Sequence, residues 1–260
     1  MVDPNTVRRI VSASGVGPQD HVLEIGPGLG SLTLGLAARA RRVTAVEIDA
    51  GFVTALDEVL AGLDHVVVVH ADALATDVDA LVSGAPVRVV ANLPYNVATP
   101  LLFHLLAAPS VVDLYVMVQR EVGERWQAAV GRPLYAGVSL KLALQATAAV
   151  ELTVPRAVFH PVPNVDSVMV RVTRRADAPD RTAYQRQAAL VDAAFAQRRK
   201  TLRNNLRTVV AGAILGEVAE VAGVDLGARA ETLDVAAIEG LDAALVAVLG
   251  VRWSDGIVGR

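Results

Sequence analysis

The sequence predicts an α/β fold, in which a parallel, doubly wound sheet is followed by a smaller helical region. One observation is the alternation of short apolar runs with helical patterns over residues 22–119. A second is that several of these runs end in glycines, an acid or an amide. A third is that the chain from Tyr184 onward shows mainly helical patterns, broken by glycines and polar residues.

The alternation can be followed in order along the chain. Strands are predicted within HVLEI, RVTAVE, HVVVVH, VRVVAN and DLYVMVQ, with helices in SLTLGLAARA, GFVTALDEVLAGL and TPLLFHLLAA. Beyond them, YAGVSLKLALQA is predicted helical, while AVELTV and DSVMVRVTR alternate as strands around the proline-rich loop VFHPVPN. A polar link near Asp177–Asp180 predicts an α/β domain over residues 1–176, a helical domain over 181–250 and a tail over 251–260.

Composition excludes several classes of function. The 260 residues are 53% apolar and contain no cysteine, which excludes disulfides, thiolate catalysis and cysteine–zinc sites and fits a reducing compartment. The net charge of −3 predicts no general attraction to nucleic acid, so such a partner would need a local basic patch. The polar start of the chain lacks a signal-peptide core, so a cytoplasmic location is expected.

One uncharged stretch, Val89 to Val112, is long enough to span a bilayer. It contains Pro94, Pro100 and Pro109, which would interrupt a single helix. A strand, a loop and a buried helix are therefore predicted here, and no membrane contact is expected.

The carboxyl ends of the predicted strands carry the first functional signal, because ligands of open α/β sheets bind at that edge. Gly26, Gly28 and Gly30 would let the backbone approach a ligand, and Glu47, about twenty residues later, could accept bonds from ribose hydroxyls. Asp72 could accept a hydrogen from an adenine amine. Each has a plainer interpretation: a tight strand–helix turn for the glycines, a solvated carboxylate for Glu47, and a turn residue or helix cap for Asp72. Together they predict an adenosine-bearing cofactor, either a nicotinamide dinucleotide or S-adenosylmethionine.

The stretch Asn92-Leu93-Pro94-Tyr95 favours S-adenosylmethionine. The Asn92 side-chain oxygen and a neighbouring carbonyl could hold the hydrogens of a planar exocyclic amine and localise its lone pair for attack on a methyl group. Pro94 would stiffen the loop, and Tyr95 offers a face on which a base can stack. The competing interpretation is a simple turn.

Six segments together resemble the rRNA adenine N6-dimethyltransferase family, most closely its bacterial kasugamycin-sensitivity branch. They are VLEIGPGLGSLT, VTAVEID, ADAL, VVANLPYNVATPLL, VFHPVPNVDSVMVR and AFAQRRKTLRNNL. The resemblance implies a class I S-adenosylmethionine-dependent methyltransferase fold, Rossmann-like, with a small all-helical C-terminal domain. It implies dimethylation of two adjacent adenines near the 3′ end of 16S rRNA in the small ribosomal subunit, with S-adenosylhomocysteine as the product.

The resemblance also implies roles for particular residues. The cofactor would be bound by Met1, Gly26, Gly28, Gly30, Glu47, Ile48, Asp72, Ala73 and Asn92. The flipped adenine would be held by Asn92, Leu93, Pro94, Tyr95 and Phe159, although Phe159 could instead anchor the core. No metal is expected, no DNA partner is expected, and a monomer is expected.

The densest basic cluster is a candidate RNA contact. It comprises Arg198, Arg199, Lys200, Arg203 and Arg207. Their helical spacings predict that several share one face, which could bind an RNA backbone. A solvated helix face is the plainer interpretation.

Two alternatives to the dimethyltransferase remain open at this level. One is a non-catalytic small-subunit assembly factor, suggested because the family's basic arm and its Gly-Gln-Asn/His-Phe-Leu motif have no match before Asp3. Met1 falls about where that motif's Leu would be. The other is a macrolide-resistance methyltransferase acting on 23S rRNA.

Overall fold

The computed structural model describes residues 3–250 and 253–254, which form two compact units. Residues 3–123 and 148–174 make the first unit, and residues 124–147 with 175–250 and 253–254 make the second. The second unit thus takes in residues 124–147, which the sequence pattern placed in the α/β domain. Tyr135, Leu140 and Leu144 explain this, because they are buried in one apolar cluster with Leu190 and Leu241 of the C-terminal helices.

The first unit contains a seven-stranded sheet in the order β3-β2-β1-β4-β5-β7-β6. Its strands are β1 (His21–Ile25), β2 (Arg42–Glu47), β3 (Val66–His70), β4 (Val87–Asn92), β5 (Val111–Gln119), β6 (Ala146–Val154, which begins in the second unit) and β7 (Ser167–Arg174). Strands β1 to β5 pair in parallel, as predicted, whereas β7 pairs antiparallel with β5. The sheet is therefore mixed.

Helices precede, connect and follow the parallel strands. They are α1 (Pro4–Ser14), α2 (Ser31–Ala37), α3 (Ala50–Val59), α4 (Val78–Leu81), α5 (Ala98–Ala107) and α6 (Arg120–Trp126, which ends in the second unit). The central strands β1 and β4 consist largely of buried aliphatic residues, as expected for strands covered on both faces. Helices α1 and α2 pack on one face of the sheet through Ile10, Leu36 and Val43.

The stretch Val89 to Val112 forms the end of β4, a loop, α5 and the start of β5. Pro100 lies in the first turn of α5, where a missing N–H does no harm, and Pro109 follows its end. Across residues 3–250 and 253–254, no helix has both the length and the apolar character needed to cross a membrane.

The second unit is built from α7 (Gly137–Ala143), α8 (Arg181–Phe195), α9 (Leu202–Leu206), α10 (Gly212–Val221) and α11 (Val235–Leu249). Asp180 and Asp234 cap α8 and α11 by accepting backbone N–H groups in the first turns. The Tyr135 hydroxyl donates to the carbonyl of Leu233 (2.7 Å), which ties residues 124–147 to the C-terminal helices.

Candidate active site

The glycine-rich turn between β1 and α2 requires glycine at three positions. Gly26, Gly28 and Gly30 have φ values of 69°, 56° and 79°, in the left-handed region that other residues avoid. A Cβ on Gly26 would lie 3.7 Å from Cγ of Pro94, so this turn runs beside the loop after β4. A Cβ on Gly30 would lie 3.0 Å from Cδ2 of Leu56, so the third glycine makes room for α3.

Glu47, the last residue of β2, fixes this turn. Its buried carboxylate accepts N–H bonds from Gly28 (3.1 Å to Oε2), Ile48 (2.9 Å to Oε1) and Asp49 (3.0 Å to Oε1). A carboxylate has about four acceptor sites. Glu47 can therefore accept a further hydrogen bond at Oε2.

Two adjacent cavities lie at the carboxyl ends of the parallel strands. The first, the Asp72 cavity, has a volume of about 320 Å³. Its lining includes Gly26, Glu47, Ile48, Asp72, Ala73 and Pro94. The second, the Asn92 cavity, has a volume of about 370 Å³. Its lining includes Gly26, Gly28, Glu47, Phe52, Asn92, Leu93, Pro94, Tyr95 and Phe159. The structure thus brings together most of the residues expected at the site. Gly30 lines neither cavity, and Met1 lies outside the described residues.

Asp72 makes the turn that its plainer interpretation predicts and also lines a cavity. Its Oδ1 accepts the N–H of Leu74 (2.9 Å), while Oδ2 has no hydrogen bond among the described residues. One carboxylate oxygen therefore holds the turn and the other can accept from a ligand.

The loop after β4 is rigidly anchored. The Leu93 N–H donates to the carbonyl of Met117 (3.1 Å), its side chain is buried, and the Val97 N–H closes a turn onto Pro94 (3.1 Å). The side-chain oxygen of Asn92 is buried and has no hydrogen-bond partner among the described residues. Because buried acceptors are normally satisfied, this oxygen marks a place where a ligand donor is expected.

Two aromatic rings, Tyr95 and Phe159, line the Asn92 cavity. The Tyr95 hydroxyl lies 2.8 Å from Oγ of Ser167, which orients the phenol. Phe159 is 9% exposed and also packs on the core cluster of the first unit, so its two interpretations are compatible.

Asp166 closes the base of the loop that carries Phe159. Its carboxylate accepts the N–H of Arg156 (2.9 Å) and a guanidinium N–H of Arg120 (3.2 Å). The Arg156 N–H bond first, then the Arg120 bond and charge, lower the pKa of Asp166 below its usual value.

Two residues at the site, Phe52 and Ser167, were not predicted from the sequence. Phe52 has the spacing of a core residue of α3, yet it is 42% exposed and lines the Asn92 cavity one turn before buried Leu56. Its position five residues after Glu47, at the end of β2, could have indicated that it lies near the site. Ser167 had no local signal, because its partner Tyr95 is 72 residues away in the chain.

Glu24, in β1, is buried beneath the site. Burial raises the pKa of its carboxyl to about 8, and the nearby charge of Glu47 acts in the same direction. This carboxyl is therefore protonated over much of the range in which other glutamates are charged.

The basic cluster is exposed but does not lie on one helix face. Helix α8 ends at Phe195 and α9 begins at Leu202, so Arg198, Arg199 and Lys200 lie in the turn between them. The prediction from helical spacing was therefore wrong for these three residues, whereas Arg203 and Arg207 lie four residues apart on α9 and its C-cap. Asn205 is the physical reason, because its side-chain amide donates to the carbonyl of Ala194 and to that of Gln197 (3.1 Å), which ends α8. The Arg198 guanidinium also pairs with Glu231 (3.0 Å).

Comparison with known proteins agrees with this site. A family model described as ribosomal RNA adenine dimethylase matches residues 1–240. The ribosomal RNA small subunit methyltransferase A of Thermobifida fusca is 47% identical over 243 residues, covering 91% of this chain and 84% of that protein.

Two solved structures share the fold. The 23S rRNA methyltransferase ErmE has a TM-score of 0.71 and 28% identity, covering 94% of this chain and 98% of its own. A dimethyladenosine transferase from Plasmodium falciparum has a TM-score of 0.76 and 23% identity, covering 94% and 96%. The class I methyltransferase fold is confirmed, and the chain belongs to the ribosomal RNA adenine dimethylase family.

Proposed function

We propose that this protein dimethylates the N6 amines of two adjacent adenines near the 3′ end of 16S rRNA in the small ribosomal subunit, using S-adenosylmethionine. The observation that carries the proposal is the buried, unpartnered oxygen of Asn92 at a cavity lined by Tyr95 and Phe159. A cavity lined by an amide acceptor and by aromatic side chains suits a planar base that bears an amine.

The residues of the Asp72 cavity fit the adenosine part of S-adenosylmethionine. That cofactor supplies a methyl group on a positively charged sulfur when it is bound. Glu47 has acceptor capacity for ribose hydroxyls, Oδ2 of Asp72 can accept from the adenine amine, and Ile48 and Ala73 offer apolar surface. The left-handed turn at Gly26 and Gly28 leaves the backbone open beside both cavities.

Asn92 would orient the reacting amine. An adenine N6 amine is a weak nucleophile because its lone pair is delocalised into the ring. The Asn92 oxygen, with a backbone carbonyl of the same loop, would accept its hydrogens and hold the nitrogen in a near-tetrahedral geometry. Positioning and preorganised acceptors then supply most of the rate acceleration. No strong base is required, because the methylated nitrogen is positively charged and loses its proton readily.

Tyr95 and Phe159 would hold the base outside its helix. Flipping a base costs a few kcal/mol, and stacking on an aromatic side chain recovers about 1–3 kcal/mol. Leu93 and Pro94 contribute by fixing the loop, since Leu93 is anchored to β5 and Pro94 packs beside Gly26. The exposed cluster Arg198, Arg199, Lys200, Arg203 and Arg207 would contact the RNA backbone.

Identity favours the small-subunit substrate over the large-subunit one, since the small-subunit relative is 47% identical and the 23S enzyme 28%. The test is methyl transfer from labelled S-adenosylmethionine to separate small and large subunits from a strain lacking these methylations. We expect dimethyladenosine at two adjacent positions of 16S rRNA. Label in 23S rRNA, or binding to small subunits without label, would contradict the proposal.

A further inference from the structure

A third cavity lies at the opposite ends of the parallel strands, and the proposed function makes no use of it. It has a volume of about 480 Å³, and its lining includes His21, Arg41, Arg42, Asp64, His65 and Ser83. His21 and Arg42 begin β1 and β2, and His65 directly precedes β3. These are the amino ends of parallel strands, so we call this the amino-edge cavity.

The two arginines of the amino-edge cavity have guanidinium groups without a partner in the described part of the chain. Within residues 3–250 and 253–254, the guanidinium groups of Arg41 and Arg42 form no hydrogen bond or ion pair. By contrast, Arg88 in the same sheet binds the carboxylate of Asp113 (2.7 Å). Asp64, the carboxylate of the lining, is likewise in no ion pair with a described residue. The lining therefore carries an excess of positive charge.

Histidine and serine side chains add further polar groups. His21 is buried, and its Nε2 lies 2.9 Å from Oγ1 of Thr44. The Nε2 of His65 lies 2.9 Å from the carbonyl of Ala37 and must donate, because a carbonyl only accepts. Burial first, then the charges of Arg42 and Arg41, lower the pKa of His21, so the field of both guanidinium groups reaches into the cavity wall.

Ser83 is held in an unusual backbone conformation. Its φ of 53° is in the left-handed region, and it is the one non-glycine residue there among those described. Its hydroxyl has no hydrogen bond to a described residue and lines the amino-edge cavity. Backbone strain of this kind clusters at binding sites.

We propose that the amino-edge cavity binds a phosphate group, with Arg41 and Arg42 as its charged donors and the Ser83 hydroxyl as a neutral donor. The planar guanidinium matches a phosphate in two parallel hydrogen bonds. The volume is that of a small-ligand site, large enough for a phosphate together with the group that carries it. That phosphate belongs either to the RNA backbone or to a free phosphate compound.

The first experiment is a titration of the full chain with inorganic phosphate, followed by calorimetry and by NMR of the histidine side chains. We expect the double variant Arg41→Gln/Arg42→Gln to bind about tenfold more weakly or worse, since charged hydrogen bonds are lost. Arg39→Gln is the matched control, because this exposed arginine lies nearby and does not line the cavity.

NMR at constant ionic strength, with chloride replacing phosphate in the reference sample, adds a second readout, because salt screening of the arginine charges is then the same in both samples. His21 faces Arg41, Arg42, Asp64 and His65 across the cavity. A bound anion offsets the arginine charges, so phosphate should raise the pKa of His21 in the native protein and not in the double variant. The proposal would be overturned if phosphate left the pKa of His21 unchanged. It would also be overturned if Arg39→Gln lost as much phosphate affinity per charge removed as the double variant.

The second experiment identifies the source of the phosphate. If it is RNA, the double variant should lower the slope of log K against log salt for small-subunit binding by roughly one to two. If it is a free compound, that slope stays unchanged while inorganic phosphate binding is lost. Neither titration uses methyl transfer, so failure of this proposal is distinguishable from failure of the proposed function.

Discussion

The phenol oxygen of Tyr95 lies 2.8 Å from Oγ of Ser167, which is fully buried at the start of β7. This bond joins the loop after β4 to a strand that pairs with β5 at Gln119. The ring against which the adenine is proposed to stack is therefore oriented from the core of the sheet rather than by its own loop.

Removing this bond should slow transfer without abolishing it. We expect Ser167→Ala to lower the single-turnover rate about 2- to 12-fold, the equivalent of about 0.5–1.5 kcal/mol for a neutral hydrogen bond. Tyr95→Phe should do the same, and the double variant should be no worse than either single one. Ser110→Ala is the control, because that serine is buried and its hydroxyl has no partner among the described residues. A fully additive double variant would refute the coupling.

Glu47 should set cofactor affinity. In Glu47→Gln an amide replaces a carboxylate that accepts three backbone N–H groups, and a ribose acceptor is lost. We expect the Kd for S-adenosylmethionine to rise about 10- to 100-fold, as for lost hydrogen bonds to a charged group. Calorimetry measures this, with Glu58→Gln on the exposed face of α3 as the control. Equal affinity in both variants would exclude Glu47 from the cofactor site.

Glu24 should make stability depend on pH. Burial raises the pKa of its carboxyl to about 8 from the ordinary value of 4.5, so its favourable contribution is fully present below pH 4.5 and is lost as pH rises through 8. Denaturant unfolding at pH 6 and pH 9 should show the native protein losing stability relative to Glu24→Gln. Parallel pH profiles for the two proteins would show that Glu24 is charged in the folded state.

The basic cluster should control the salt dependence of RNA binding. Arg199→Ala/Lys200→Ala should lower the slope of log K against log salt by roughly one to two for small subunits. Arg198→Ala should have a smaller effect per charge, because Glu231 already pairs with its guanidinium. A slope unchanged in the double variant would show that this turn is a solvated surface.

Much of the fold followed from local pattern. The apolar runs predicted β1 to β5. Strands β1, β2, β4 and β5 are largely buried, as expected for strands covered on both faces, whereas β3 lies at the edge of the sheet and is partly exposed. The same runs located Glu47, Asp72 and Asn92, since a polar residue that ends a buried strand lies at the ligand-binding edge.

Tertiary contacts decided what the pattern missed. The end of α8 depends on Asn205 of the next helix, whose side-chain amide donates to backbone carbonyl groups at the end of α8. Helical spacing alone could not show this contact, so it wrongly predicted a helix through the first part of the basic cluster. Residues 124–147 join the second unit because Tyr135 and Leu140 are buried against distant helices. Ser167 meets Tyr95 only through strand pairing, which no spacing in the sequence records.

The most direct test of the central claim is the single-turnover rate of methyl transfer to small subunits by Asn92→Ala. Asn164→Ala serves as the matched control, since Asn164 is exposed and does not line the Asn92 cavity. We predict that the Asn92 variant is slowed about 100-fold or more, as for loss of one preorganised polar group, while its Kd for small subunits is unchanged. Normal transfer by Asn92→Ala, with the control equally active, would contradict the account of the amine pocket.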